Sequence, residues 1–213
     1  MLTKLFISFL LSLQAHAWAL LTGCREQYTI RKNSKTGKYN CNAKFNPLEN
    51  NWDRHANSPH DANASVWQVA WPAVGGGGEG EITQEELFQK MCAWDLENYI
   101  VGAGISGPSG GPDKRRADGM VDNHAYSVIE CLNDVAGTDI DLIKVRNPWG
   151  KGEIEDGMFD DDGPGWDQYP QIKKALNPVV ADDGIFWLTK QEFFDHFQTV
   201  YVSASNMTEF LED

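Results

Sequence analysis

Basic residues are scarce in this chain of 213 residues. It has 18 lysines and arginines against 31 aspartates and glutamates, which gives a formal net charge of -13 at pH 7. A chain with this balance repels the phosphates of nucleic acid, and cations are its favoured ligands. The composition therefore argues against a nucleic-acid-binding function.

Long apolar runs are also lacking, so no transmembrane segment is predicted. The N-terminal run from Leu5 to Leu13 is too short to span a bilayer. Lys4 precedes this run and Ala15-His16-Ala17 follows it, as in a signal peptide. Residues 1–17 are therefore either a signal peptide, which predicts secretion, or a core segment at a truncated start. We expect residues 18–213 to form one domain, since 41% hydrophobic residues suffice for one core.

Cysteine is limited to four residues, Cys24, Cys41, Cys92 and Cys131. They allow two disulfides in an oxidising compartment and remain thiols in the cytosol. Cys24 follows a Thr-Gly turn and Cys41 lies in a polar stretch. Neither opens an apolar helix whose dipole would favour a thiolate, and Cys92 falls on the apolar face of a predicted helix.

Two glycine-rich stretches are predicted to be loops. The polar part, residues 25–82, includes the run Gly75 to Gly78, which lacks the Gly-Lys-Ser/Thr sequence of a phosphate-binding loop and is interpreted as a connector. Gly102 to Gly119 is the second predicted loop, with Lys114-Arg115-Arg116 as a solvated tip.

The remaining pattern predicts an α+β fold with an antiparallel sheet and few helices. Thr83 to Glu86 matches a capping box, which opens a helix that runs to about Tyr99 and buries Leu87, Met91 and Trp94. The other predicted elements are strands at His124 to Cys131, Asp141 to Asn147, Gly184 to Leu188 and Thr199 to Ser203, and a short helix from a second capping box at Thr189 to Phe197.

A hairpin joins the first two of these strands. A turn centred between Val135 and Ala136 places His124 opposite Asn147. An imidazole oriented by a neighbouring amide can deprotonate a thiol and return the proton to a leaving amine. The alternative is a buried histidine whose hydrogen bonds are satisfied by a neighbouring side chain.

Two segments around this pair resemble those of the calpain family of cysteine proteases. Asp122 to Val128 (DNHAYSV) is similar to the family's histidine segment, and Ile143 to Gly150 (IKVRNPWG) to its asparagine segment. The resemblance continues through Trp166 and Asp183 to Trp187 and covers residues 84–210. It implies the barrel-like second half of a papain-like fold, a cytoplasmic location, and cysteine-type endopeptidase activity on protein or peptide substrates.

The resemblance also implies roles for individual residues. His124 is the general base and acid, Asn147 its orienting partner, and Trp149 the indole that shields their hydrogen bond from water. The family's nucleophilic cysteine and oxyanion-stabilising glutamine lie in an N-terminal half, and this sequence has no Gln...Gly-x-Cys-Trp segment. The chain is thus either the histidine-bearing half of an endopeptidase, with a cysteine-bearing half as partner, or an inactive module that binds calcium or a polypeptide.

An acidic stretch suits a calcium site. Its six carboxylates are Glu153, Glu155, Asp156, Asp160, Asp161 and Asp162. A solvated loop explains such density, and so does a bound cation. By resemblance to the calcium-binding segments of calpains, the expected ligands are Glu153, Asp160 or Asp161, and Asp183, with Glu155 as an alternative to Glu153. Ile185 stands where the family has a glutamate, which removes one ligand.

Overall fold

The computed structural model describes residues 18, 21–24, 26–46, 51–53, 70–107 and 112–208. Residues 1–17, interpreted as a signal peptide or as a core segment at a truncated start, lie outside them. The strands are β1 (Gln27–Lys32), β2 (Tyr39–Asn46), β3 (Asn51–Asp53), β4 (Ile100–Ile105), β5 (Lys114–Arg115), β6 (Val121–Asp122), β7 (His124–Leu132), β8 (Leu142–Arg146), β9 (Ile185–Thr189) and β10 (Thr199–Ser203). The helices are α1 (Gln84–Leu96), α2 (Gly165–Gln168), α3 (Pro170–Leu176) and α4 (Lys190–His196), and a 3-10 turn spans Val135–Gly137.

Eight of the strands form one open sheet in the order β3-β2-β1-β10-β4-β7-β8-β9, and every neighbouring pair is antiparallel. Strands β5 and β6 form a separate two-stranded hairpin. The predicted α+β class with an antiparallel sheet is confirmed. Across the described ranges, none of the helices has both the length and the apolar character needed to cross a bilayer.

Helix α1 packs its apolar face on the sheet. The Thr83 hydroxyl accepts a hydrogen bond from the Glu86 amide, and the Glu86 carboxylate accepts one from the Thr83 amide at 2.7 Å, so the predicted capping box is present. The helix ends at Leu96, three residues before the predicted end. The apolar residues of its buried face pack in the main core together with residues of β4 and β7. These helix residues are Leu87, Phe88, Met91, Cys92 and Trp94.

The glycine-rich stretch after α1 begins as a buried strand, which corrects the loop prediction. Residues 100–105 form β4 in the middle of the sheet, paired with β10 and β7. A Cβ atom on Gly102 would lie 3.0 Å from the Trp18 ring and 3.3 Å from the Tyr126 carbonyl oxygen. The glycine thus allows close packing inside a strand and does not mark a loop. The Lys114-Arg115-Arg116 run also begins with strand β5.

The register of the β7–β8 hairpin differs from the predicted one. Ser127 pairs with Arg146, and a bulge interrupts the ladder between Val128 and Glu130. The turn contains Asp134 at φ 45° and Ala136 at φ 54° and lies slightly later in the chain than predicted. Because side-chain pairing follows the turn and the bulge, Asn147 is not the ladder partner of His124. It follows the last residue of β8 instead.

Gly119 lies in the turn of the β5–β6 hairpin and packs against the backbone of the acidic stretch. Its replacement therefore tests the contact between the hairpin and that stretch. Gly119 has φ 81°, and an added Cβ would lie 2.1 Å from the Glu153 carbonyl oxygen. Gly37 has φ 71° but nothing within 4 Å of that position. We expect Gly37→Ala to lower the free energy of unfolding by about 1 kcal/mol, the cost of a left-handed alanine. Gly119→Ala should cost roughly 2 kcal/mol more, because backbone must also shift.

Urea unfolding of the two variants measures the difference. Equal losses for Gly119→Ala and Gly37→Ala would show that the hairpin does not pack against residue 153.

Candidate active site

His124 opens strand β7 and is almost completely buried. It pairs with Ile105 of β4 in the sheet and is 1% exposed. Its Nε2 atom lies 2.9 Å from the Oδ1 atom of Asn147. The two residues that the sequence analysis paired are therefore in hydrogen-bond contact, although they meet beyond the end of β8 and not within the ladder.

The Asn147 side chain is held in one orientation by its other partners. Its Oδ1 atom also accepts a hydrogen bond from the Trp149 amide at 3.1 Å, and its Nδ2 atom donates to the Gly152 carbonyl at 2.9 Å. Its own backbone amide donates to the Gly184 carbonyl at 2.7 Å. Because the amide oxygen faces the imidazole, the Nε2 atom of His124 must be the donor and carry the proton.

Aromatic rings cover the faces of the imidazole. The Trp149 ring lies 4.6 Å from it between centroids at an angle of 51°, and the Tyr126 ring lies 5.1 Å away, nearly perpendicular. Tyr126 is buried, whereas Trp149 is 42% exposed. Trp149 therefore packs against the imidazole while part of its side chain is exposed to solvent.

The other nitrogen of His124 has a partner that the sequence analysis missed. Its Nδ1 atom lies 3.0 Å from the Oδ2 atom of Asp113. Asp113 precedes β5 within the stretch predicted to be a loop. The short hairpin of β5 and β6 positions it by returning the chain to Asn123 and His124, and a two-residue ladder leaves no signal in the sequence.

Two of the cysteines lie at the far end of strand β7. Cys131 is seven residues along the strand from His124, which corresponds to about 23 Å. The Cys92 thiol contacts the Asn133 side chain at 3.5 Å, at the same end. Burial raises the pKa of the Cys92 thiol to about 12 and raises the pKa of Cys131 as well. This environment disfavours the thiolate form that a nucleophile needs.

The other two cysteines lie elsewhere on the sheet. Cys41 is on β2, four strands from β7, or about 19 Å at the usual strand spacing. Cys24 precedes β1, whose first residue, Gln27, pairs with Ser203 of β10. Ser203 pairs in turn with Ile100 of β4. Ile100 is at the opposite end of β4 from Ile105, the strand partner of His124. All four cysteines belong to the described residues, and none of them lies beside His124.

The acidic stretch surrounds a cavity of about 500 Å³. Glu153 accepts hydrogen bonds from the amides of Asp183 and Gly184, at 3.2 and 2.9 Å. Asp161 accepts one from the Ala181 amide at 2.6 Å. Burial, together with the nearby charges of Asp161 and Asp183, raises the pKa of Glu153 to about 7. The structure thus brings three of the predicted calcium ligands into one neighbourhood.

Asp160, the fourth predicted ligand, is hydrogen-bonded to the backbone of the acidic stretch. The Asp160 carboxylate accepts a hydrogen bond from the Gly157 amide at 2.9 Å, and burial raises its pKa. In the part of the chain that the structure describes, no three side chains of His, Cys, Asp or Glu are arranged to hold a metal ion. A cation would therefore need these carboxylates to rearrange.

Comparison with known proteins gives consistent matches. The sequence model of the calpain family cysteine proteases matches residues 8–204. The calpain-type cysteine protease DEK1 of Zea mays is 30% identical over 122 residues, which cover 57% of this chain and 5% of that protein. DEK1 of Arabidopsis thaliana is 32% identical over 57% of the chain, again 5% of that protein. Calpain-12 of Mus musculus is 36% identical over 60% of the chain, which is 18% of its length. The chain thus spans a small part of these relatives.

The buried His124–Asn147 contact predicts a stability cost for removing the amide. In Asn147→Ala, the Nε2 proton of His124 and the Gly152 carbonyl both lose their partner, and the free energy of unfolding should fall by about 1–3 kcal/mol. Asn206→Ala is the matched control, since Asn206 is exposed and accepts one local hydrogen bond from Thr208. Urea unfolding measures both variants, and equal losses would contradict the anchoring of His124 by Asn147.

Proposed function

Because the chain belongs to the calpain family of cysteine proteases, we propose that it supplies the histidine-bearing half of a papain-like endopeptidase active site. The observation that supports this role is the buried contact between His124 and an Asn147 amide of fixed orientation. In the proposed reaction, a thiol attacks the carbonyl carbon of a peptide bond in a protein substrate. His124 takes the thiol proton and later delivers it to the leaving amine.

The hydrogen-bond partners decide which nitrogen performs this step. Asn147 holds the Nε2 atom as a donor, so the Nδ1 atom is the basic nitrogen that faces the thiol. Asn147 stabilises the imidazolium that forms when the proton arrives, and the covering ring of Trp149 strengthens their contact by excluding water. In this scheme Asn147 and Trp149 are positioning residues, because neither touches the substrate.

The nucleophile comes from another half in this proposal. The positions of the four cysteines, together with the raised pKa values of Cys92 and Cys131, support the absence of a nucleophile beside His124. An N-terminal cysteine-bearing half would bring the thiol and the group that stabilises the oxyanion. The alternative is an inactive calpain-like module, in which the same pair serves structure alone.

The first functional test is hydrolysis of a fluorogenic peptide with calcium present. We expect no activity from the chain as given, because loss of the nucleophile from a hydrolytic triad lowers turnover on the order of 10⁶-fold. A hybrid that joins the chain to a calpain-like N-terminal half with its cysteine should hydrolyse the peptide, and His124→Ala should abolish that activity.

Two controls make the outcome decisive. If the chain alone hydrolyses the peptide and Cys24→Ala, Cys41→Ala, Cys92→Ala and Cys131→Ala together abolish this, one of those cysteines is the nucleophile. A hybrid that is folded but inactive, as judged by its unfolding transition, favours the inactive module. Activity of the hybrid that survives His124→Ala would remove the proposed role of this histidine.

Calcium is the proposed cation at the acidic cavity. The supporting observation is the crowding of Glu153, Asp161 and Asp183, whose mutual repulsion contributes to the high pKa of Glu153. A divalent cation with oxygen ligands would relieve this repulsion, and carboxylates are the ligands that calcium prefers. The amides of Asp183 and Gly184 that now bind Glu153 would retain one of its oxygens.

Isothermal titration with calcium tests this site and its pH dependence. The expected result is binding that Asp160→Ala and Asp183→Ala both weaken, and that Asp167→Ala, on the exposed ion pair with Lys173, leaves unchanged. Because calcium needs the ionised form of Glu153, whose pKa is about 7, the affinity should rise from pH 6 to pH 8. No binding by the parent chain, or equal binding by all variants, would exclude the site.

A further inference from the structure

The Asp113 carboxylate contacts the nitrogen of His124 on which catalysis depends. The distance between Oδ2 of Asp113 and Nδ1 of His124 is 3.0 Å, and the side chains of His124 and Asp113 are 0% and 16% exposed. The Nε2 atom of the same ring is already committed to Asn147. A single buried imidazole is thus in contact with two oxygen acceptors, one at each nitrogen.

A hydrogen bond at Nδ1 requires a proton between this nitrogen and the Asp113 carboxylate oxygen. The Asn147 oxygen forces a proton onto Nε2, because the same oxygen also accepts from the Trp149 amide. A neutral ring would then direct a lone pair from Nδ1 at the carboxylate oxygen of Asp113, which is repulsive. With an ionised Asp113, the 3.0 Å contact is a hydrogen bond only when Nδ1 also carries a proton, so this geometry requires an imidazolium paired with the aspartate. An imidazolium cannot accept a proton from a thiol.

The β5–β6 hairpin explains why Asp113 stands at this position. Lys114 pairs with Asp122 in its ladder, so the residue before Lys114 is brought next to Asn123, which precedes His124. The turn end of the hairpin is fixed by Arg116, whose guanidinium binds Asp118 and lies 3.6 Å from Asp122. Asp113 is at the open end of the hairpin, where withdrawal requires no change in these ion pairs.

We propose that Asp113 is an inhibitory residue that occupies Nδ1 of His124 and must leave it before a thiol can be activated. The inference rests on the function proposed above for His124, but its first test reads the ring nitrogens and needs no hydrolysis. The carboxylate and the incoming thiol compete for one nitrogen. A cysteine-bearing half therefore has to displace Asp113 when it docks against this end of the sheet.

Long-range proton–nitrogen NMR of the full chain, labelled in its five histidines, tests the occupancy of Nδ1 at pH 7. The His124 signals are assigned by their loss in His124→Gln or by through-space contact with the Tyr126 ring, 5.1 Å away. In the parent chain both nitrogens should have the chemical shifts of protonated nitrogens. In Asp113→Ala the Nδ1 shift should move to that of an unprotonated nitrogen, while Nε2 remains protonated.

Two further variants guard against misfolding and unspecific charge effects. Asp113→Asn keeps the size of the side chain and can donate its amide proton to Nδ1, so it should also produce a neutral ring. Asp167→Ala removes a carboxylate from the exposed pair with Lys173 and should leave the His124 signals unchanged. An unprotonated Nδ1 in the parent chain, or identical His124 shifts in the parent and both Asp113 variants, would overturn the proposal.

Turnover by the hybrid protease provides a second measurement. Asp113→Ala should raise kcat roughly tenfold or more, the factor that corresponds to loss of one charged hydrogen bond, with KM little changed. A lower kcat in Asp113→Ala would show that Asp113 assists the histidine, and would overturn the inhibitory role. If no hybrid is active, the proposed function fails, while the NMR result still decides whether Asp113 occupies Nδ1.

Discussion

The buried imidazole of His124 is the constraint around which this half of the molecule is arranged. A ring with two nitrogens inside a protein needs a partner for each, and both partners here come from positions fixed by strand ends. Asn147 follows β8 and cannot rotate, because the Trp149 amide and the Gly152 carbonyl bind the two ends of its side chain. The orientation of one amide therefore decides which nitrogen of the histidine is available for chemistry.

The same backbone connects this site to the acidic cavity. The Gly184 carbonyl accepts from the Asn147 amide, and the Gly184 amide donates to the Glu153 carboxylate. Gly184 has φ 79°, and a Cβ atom there would lie 2.9 Å from the Asn147 carbonyl oxygen. The Glu153 carboxylate and the asparagine that orients His124 are thus both hydrogen-bonded to one residue, Gly184. A short path of backbone hydrogen bonds therefore connects the cavity to the asparagine beside the histidine.

Local sequence patterns predicted the elements with strong local signals. Both capping boxes, the apolar face of α1 and the strand from Thr199 to Ser203 follow from nearest-neighbour chemistry, and the His124–Asn147 contact followed from the order of two strands and a turn. The errors have tertiary causes. Strand β4 was missed because Gly102 serves close packing against Tyr126 and Trp18. The predicted β7–β8 register was wrong because the turn lies later in the chain than predicted, and a bulge between Val128 and Glu130 then shifts the ladder by one residue. The Asp113 contact depends on a two-residue ladder, which is too short to predict from sequence.

The strand order also has a consequence for how the chain folds. Strand β10 lies between β1 and β4, so β1, β2 and β3 join the rest of the described sheet through β10 alone. Pairing Gln27 with Ser203 closes a loop of most of the chain. Such non-local pairing is slow, because the chain loses the entropy of loop closure before the strand contacts stabilise the sheet. During synthesis, β1 to β3 leave the ribosome early but have no place in the sheet until Thr199 to Ser203 emerge. The strands around His124 can therefore pair before β1 to β3 join the described sheet through β10.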